Sequence, residues 1–219
     1  MNRHLTAVLQ ALFVVFLWAT SWVFIKIGLQ EIPPLTFAGL RYFLAFCCLL
    51  TVLLVRGGRA ELRALPRPAW LQLLGLGLLF YVGTQGASFV ALAYLPAITV
   101  NLIWSFSSVA VAGLGIVWLS ERPTWFQWAG LLLASAGAVL YFSPLSIPRA
   151  QSLGYIVALI GVLANAISAI LGREINRTAQ YPPLVVTVIS MGAGSVALLS
   201  AGLAVEGLPE MGWQTWAII

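Results

Sequence analysis

The sequence contains no aspartate, one lysine (Lys26), one histidine (His4) and two cysteines, and only 8% of its 219 residues are charged. A water-soluble domain carries about a quarter charged residues, so a soluble globular class is excluded and the chain belongs in a bilayer. Without aspartate an aspartyl dyad cannot be assembled, and with His4 as the sole imidazole no histidine base stands inside an apolar run. Gly194-Ser195 superficially resembles the nucleophile of an intramembrane serine protease, but that chemistry needs a base within reach. A Ser–Lys dyad would have to use Lys26, which sits at the end of an apolar run. The adjacent Cys47 and Cys48 offer neither a disulfide framework nor metal-ligand spacing. No enzyme activity, metal or cofactor is therefore expected. The formal charge of +5 does not point to nucleic acid, because the arginines fall in short gaps between apolar runs rather than on one basic face.

What the chain has in abundance is apolar sequence, 61% of all residues. Runs near 5–29, 35–55, 69–94, 97–119, 125–142, 153–172 and 184–205 each approach the roughly 20 residues that cross the hydrocarbon, which predicts seven spans. The first run is too long for the apolar part of a signal peptide and no small-residue cleavage pattern follows it, so it is expected to stay as a span. Trp213 to Ile219 turn apolar again, and seven helical residues reach only about a third of the way across a bilayer. An eighth span is expected to begin there, with the chain ending inside it.

With a cytoplasmic N-terminus, the inside receives Arg3, Arg56, Arg59, Arg63, Arg67, Arg122, Arg173 and Arg177, and the outside only Lys26 and Arg149. That asymmetry predicts a multi-pass protein of the cell (inner) membrane with its N-terminus inside. The stretch WATSWVFIKIGLQEIPPL, Trp18 to Leu35, returns in degraded form about 150 residues later. Ser168 answers Ser21, Arg173 answers Lys26, and Pro182-Pro183-Leu184 answers Pro33-Pro34-Leu35. Such a period is too long for a solenoid, whose units run to roughly 50 residues. Five spans separate the copies, and an odd number reverses direction, so they are expected to run antiparallel, as the halves of secondary transporters do. That predicts residues 1–145 as a first five-helix repeat and 146–219 as part of a second, with about three helices to complete it.

Three stretches carry a resemblance to a known family: LWATSWVFIKIGLQEIPPLTFAGLRY (Leu17–Tyr42), FVALAYLPA (Phe89–Ala97) at the end of a glycine-rich third span, and LSERPTWFQWAGLLLASAGAVL (Leu119–Leu140). In this order and spacing the chain resembles an EamA-type member of the drug/metabolite transporter superfamily. The resemblance implies an all-α helical bundle of ten helices in two inverted five-helix halves, both termini cytoplasmic, and a central cavity. It further implies movement, often export, of small metabolites, whether amino-acid-like, drug-like or otherwise amphipathic. Helices eight to ten of that pattern are lacking here, so the alternative is a non-transporting membrane protein that only packs against other helices. The expected partners are the lipid bilayer and a small solute, with either a second copy or missing C-terminal helices completing the bundle.

Polar groups inside spans are the candidate cavity residues, because an unpaired hydrogen-bonding group in hydrocarbon is costly. In the first span Trp18, Ser21, Trp22 and Ile25 share one helical face, as a pocket wall or as simple space-filling between helices. In the third span Tyr81, Thr84, Gln85 and Ser88 share a side, and Gln85 needs a polar partner wherever it points. Its flanking glycines, Gly83 and Gly86, fit close helix packing better than a helix break. The fourth span adds Asn101, Trp104, Ser105 and Ser108, the sixth Asn165 and Ser168, and the seventh Thr187 and Ser190. The hydroxyls alone are weak evidence, since serine and threonine can bond to their own helix. Arg41, about 10 Å into its span, can snorkel outward or face the cavity. Lys26 is expected as an interfacial anchor. Glu121 and Arg122 form a turn in which Thr124-x-x-Gln127 predicts a capping box, with gating as the alternative role.

Overall fold

A computed structural model of the chain describes residues 3–141, 143, 148–177 and 181–209; the stretch expected to begin an eighth span, Trp213–Ile219, lies outside the described residues. The described residues are helical, with no strand among them. In order the helices are α1 (Arg3–Gly28), α2 (Pro34–Val55), the short α3 (Arg59–Ala64), α4 (Arg67–Tyr94), α5 (Ala97–Leu119), α6 (Trp125–Tyr141), α7 (Ser152–Arg177) and α8 (Pro183–Glu206). Six of these are long and apolar enough to cross a membrane. The expected fifth span, α6, has 17 residues, about 25 Å of helix against a hydrocarbon core of about 30 Å.

Both copies of the Pro-Pro-Leu element start a helix. Pro34 and Pro183 occupy the first helical turn of α2 and α8, where a missing N–H leaves no bond unmade. The helices pair antiparallel. Cβ atoms built on Gly39 and Gly202 would lie 2.5 Å from the backbone of Leu199 and 2.6 Å from that of Thr36, while one on Gly192 would strike the Phe46 ring at 2.6 Å. Glycine is required at Gly39 and Gly202 because backbone fills the space a methyl group would take, whereas at Gly192 a side-chain ring fills it. This is the close packing that replaces hydrophobic driving force between helices in lipid.

Helix α4 lies against both α7 and α8, and its middle, Leu78–Gly86, is π-helical. Gly77 approaches the carbonyl of Ser190 and Gly194 that of Gly77, and Cβ atoms on Gly83 and Gly86 would each meet a neighbouring helix at 3.1 Å, at Ala164 and Leu198. Two apolar clusters result. One joins Ile32, Phe37, Phe89, Leu92, Leu95 and Val100; the other joins Leu53, Leu73, Val185 and Ile189.

Three contacts between helix ends fix which ends share a face of the bundle. Lys26 donates to the Leu92 and Leu95 carbonyls, Glu206 accepts from Leu35 and Thr36, and Glu121 pairs with Arg173. The first two gather one face; the third gathers the opposite face, where Arg56, Arg59, Arg63, Arg67, Arg122, Arg173 and Arg177 lie. Lys26 and Arg173, the repeat's matching cations, are thus on opposite faces.

A polar vestibule between α5, α6 and α7

At the arginine-rich face the chain leaves α5 through Ser120, whose φ of 54° is left-handed. This uncommon conformation for a non-glycine residue turns the chain back. The Glu121 amide then bonds the Gly115 carbonyl at 3.1 Å. The Glu121 carboxylate lies against Gly115, where a Cβ would come within 2.7 Å of it. From there it reaches across to α7 and accepts from Arg173 Nη1 at 3.2 Å on both oxygens. The expected capping box forms: Thr124 N–H donates to Gln127 Oε1 at 2.7 Å and Gln127 N–H to Thr124 Oγ1 at 3.4 Å. It fixes the start of α6 beside the pair.

Behind this turn is a cavity of about 790 Å³, with Ser107, Ser108, Glu121, Arg122, Gln127 and Arg173 as its polar lining. One side chain deeper, Asn165 of α7 donates to the Ser107 hydroxyl of α5, near the middle of both helices. Eight residues of α7 separate Arg173 from Asn165, a depth of about 12 Å. Beyond lies Trp104, whose ring occupies the space left by Gly161. Its indole N–H is buried without an acceptor, the one such side-chain atom among the described residues.

The candidate cavity residues were expected on the first, third, fourth, sixth and seventh spans; this cavity is walled by the fourth, fifth and sixth. Of the expected residues its lining holds Glu121, Arg122 and Ser108, with Asn165 joined to it through Ser107 and Trp104 beneath. The first-span stripe divides instead. Trp18 is 72% exposed, whereas Trp22 packs against a core cluster and Ile25 is buried. Asn101 is exposed and is not part of the cavity lining. Arg41 neither snorkels nor lines the vestibule; it donates to Ser21 Oγ at 2.7 Å and ties α2 to α1. Gln85 finds its partner in Tyr42, which donates at 2.7 Å and packs its ring on Tyr81, centroids 5.1 Å apart. Ser88 is buried.

The caution about hydroxyls holds: Ser105, Ser168 and Ser190 bond carbonyls three or four residues back in their own helices. So does Ser195, which is fully buried and lacks the setting of a nucleophile. Lys26 is more than an interfacial anchor, since its ammonium satisfies carbonyls at the end of α4 that have no helical donor. Tyr42 and Glu206 escaped the sequence reading. A tyrosine inside an apolar run was the available signal for the first. Glu206 gave none, because its partners lie 170 residues away.

The EamA-like transporter family model matches residues 5–143. The chain belongs to this family. It is 29% identical over 213 residues to the uncharacterized transporter YvbV of Bacillus subtilis, covering 95% of this chain and 66% of that protein. It is 30% identical over 182 residues to a protein of Salmonella typhimurium named "probable amino-acid metabolite efflux pump", covering 82% and 57%. The inner membrane transporter YedA of Escherichia coli K12 is 28% identical over 211 residues, covering 92% and 61%. The chain thus spans about three-fifths to two-thirds of the length of these relatives. A solved crystal structure shares the fold at a TM-score of 0.65 and 18% identity, covering 91% of this chain and 69% of that one. Family membership and the apolar helices make this a multi-pass membrane protein.

Proposed function

We propose that this chain forms the larger part of a carrier that exports small polar or amphipathic solutes, amino-acid-like ones among them, across the inner membrane by alternating access. Residues 1–145 form the first five-helix repeat and 146–219 part of the second, with the arginine-rich face cytoplasmic. The observation that carries the reading is the Glu121–Arg173 pair, which joins the first repeat to the second across the mouth of a polar cavity. In the closed form the pair holds α7 against the α5–α6 turn. When it parts, Glu121, Arg122 and Arg173 face an entering zwitterion or anion, and Asn165 and the unpaired Trp104 N–H wait beneath as donors.

The test is efflux of labelled amino acids from cells expressing the whole coding sequence. Glu121→Arg and Arg173→Glu singly are expected to lower the rate about fivefold, the effect of losing about 1 kcal/mol from a half-exposed ion pair, and the double exchange to recover most of it. Single variants that export at the wild-type rate would overturn the role of the pair. Export no faster than from cells lacking the protein would overturn the carrier reading and leave a helix-packing protein.

A further inference from the structure

A second cavity, of about 470 Å³, lies towards the arginine-rich end and is lined by apolar residues of α2, α3, α4 and α8. Phe46 and Leu50 form one wall and Ile189 the opposite one; Leu62 of α3 and Trp70 of α4 flank the mouth. Gly192 lies in the middle, where it seats the Phe46 ring. Along α8 the groove runs from Val188 to Ala197, about 14 Å of helix, close to the roughly 15 Å depth of one leaflet's hydrocarbon. At the mouth the charge is one-sided. Residues 56–67 hold Arg56, Arg59, Arg63 and Arg67 against the single acid Glu61. All four arginines are exposed, and among the described residues the one ion pair is elsewhere, between Arg173 and Glu121.

Spacing ties these cations to the groove rather than to the face in general. Arg59 precedes Leu62 by three residues on α3, and Arg67 precedes Trp70 by three on α4. Arg67, at the start of α4, therefore stands one helical turn outward of Trp70, and Arg59 shares a face of α3 with Leu62. An apolar slot one leaflet deep, with two planar cations at headgroup level and an indole at the boundary, matches one kind of occupant. We infer that this groove is a binding site for an anionic phospholipid of the adjoining leaflet, one acyl chain lying along α8 between Phe46 and Ile189 and the phosphate held by Arg59 and Arg67. A transmembrane helix could cover the slot, but an apolar helix brings no anion to complement these cations, as a phospholipid does. The inference does not depend on transport or on which face is cytoplasmic.

The experiment is native mass spectrometry of the protein released from vesicles of equal parts phosphatidylglycerol and phosphatidylcholine. Wild type is expected to retain phosphatidylglycerol preferentially. Arg59→Gln with Arg67→Gln is expected to reduce that preference about thirtyfold, the effect of two surface cations on an anionic lipid. Arg177→Gln, on the same face but away from the groove, should leave it unchanged, and Ile189→Trp, which fills the slot, should lower retention with all arginines present. Equal retention of the two lipids by wild type would overturn the proposal, as would a preference that survives the double arginine variant. So would a wild-type complex that retains no lipid because another polypeptide occupies the slot.

Discussion

Adding one methyl group at Gly77 tests the packing between α4 and α8. A Cβ on Gly77 would sit 2.1 Å from the carbonyl oxygen of Ser190, and real Cβ contacts essentially never fall below 3.0 Å. The obstacle is backbone, so no rotamer change relieves it and the helices must separate by about 1 Å. The approach is mutual, since a Cβ on Gly194 would meet the Gly77 carbonyl at 2.4 Å. Overpacking of this kind costs about 1–3 kcal/mol, and an immovable partner places Gly77→Ala near the top of that range. The gain in helix propensity, about 1 kcal/mol, offsets only part of it. Gly75 is the internal control: one half-turn earlier on the same helix, a Cβ there meets nothing within 4 Å, and Gly75→Ala should be neutral or stabilising by up to about 1 kcal/mol. Unfolding by titration with a denaturing detergent should therefore separate the two variants by about 2–3 kcal/mol. Coincident unfolding curves would refute the geometry.

The polar ties give three more expectations. Glu206→Ala strips the partner from the Leu35 and Thr36 amides and the Thr36 hydroxyl, and should destabilise by about 1–3 kcal/mol in the same titration; Glu206→Gln, which keeps an acceptor, should recover part. Tyr42→Phe leaves Gln85 Oε1 without its donor and should cost about 1–3 kcal/mol. Pairing it with Gln85→Leu should return most of that loss, and a double variant as unstable as the sum of its parts would contradict the contact. Lys26→Met removes the donor to the Leu92 and Leu95 carbonyls and should loosen the end of α4, seen as faster amide exchange at Leu95 and residues 97–100 than in wild type.

The spans, the proline starts of α2 and α8 and the Thr124–Gln127 box were legible because each rests on local rules: apolar length, a fixed φ and a three-residue spacing. The cavity was not, for a reason specific to membranes. In water an apolar stripe marks the buried face of a helix, but in lipid the outward face is apolar too, so Trp18 and Trp22 read alike although one is exposed and the other packed. Partner choice was hidden as well. Arg41 could be seen to need a contact, but whether that was water, headgroup or Ser21 depends on how α2 is rotated against α1. The π-helical stretch of α4 has no sequence rule at all; its glycines read correctly as packing residues, and the wider turn between them did not.

The two ties at the ends of the bundle, Glu206 to the start of α2 and Glu121 to Arg173, are unequal, and on the alternating-access reading that inequality selects which end opens first. Glu206 meets two backbone amides and a hydroxyl at the start of α2, at 2.8–3.0 Å, where the helix dipole also favours a negative charge. Parting them leaves amides with no helical acceptor. At the other end Glu121 and Arg173 are about half exposed and meet at 3.2 Å through a single guanidinium nitrogen, so water replaces the contact readily and its net contribution is at most about 1 kcal/mol. The α2–α8 seam is also tightest, backbone against backbone, at Gly39 and Gly202 on the Glu206 side, and meets a movable ring, Phe46, towards the arginine-rich side. A hinge at Glu206 with opening at Glu121 follows from both observations. Spin labels placed at exposed Arg122 and Arg177 should accordingly show a broader distance distribution than a pair at Glu31 and Leu208, and the reverse order would place the hinge at the arginine-rich end.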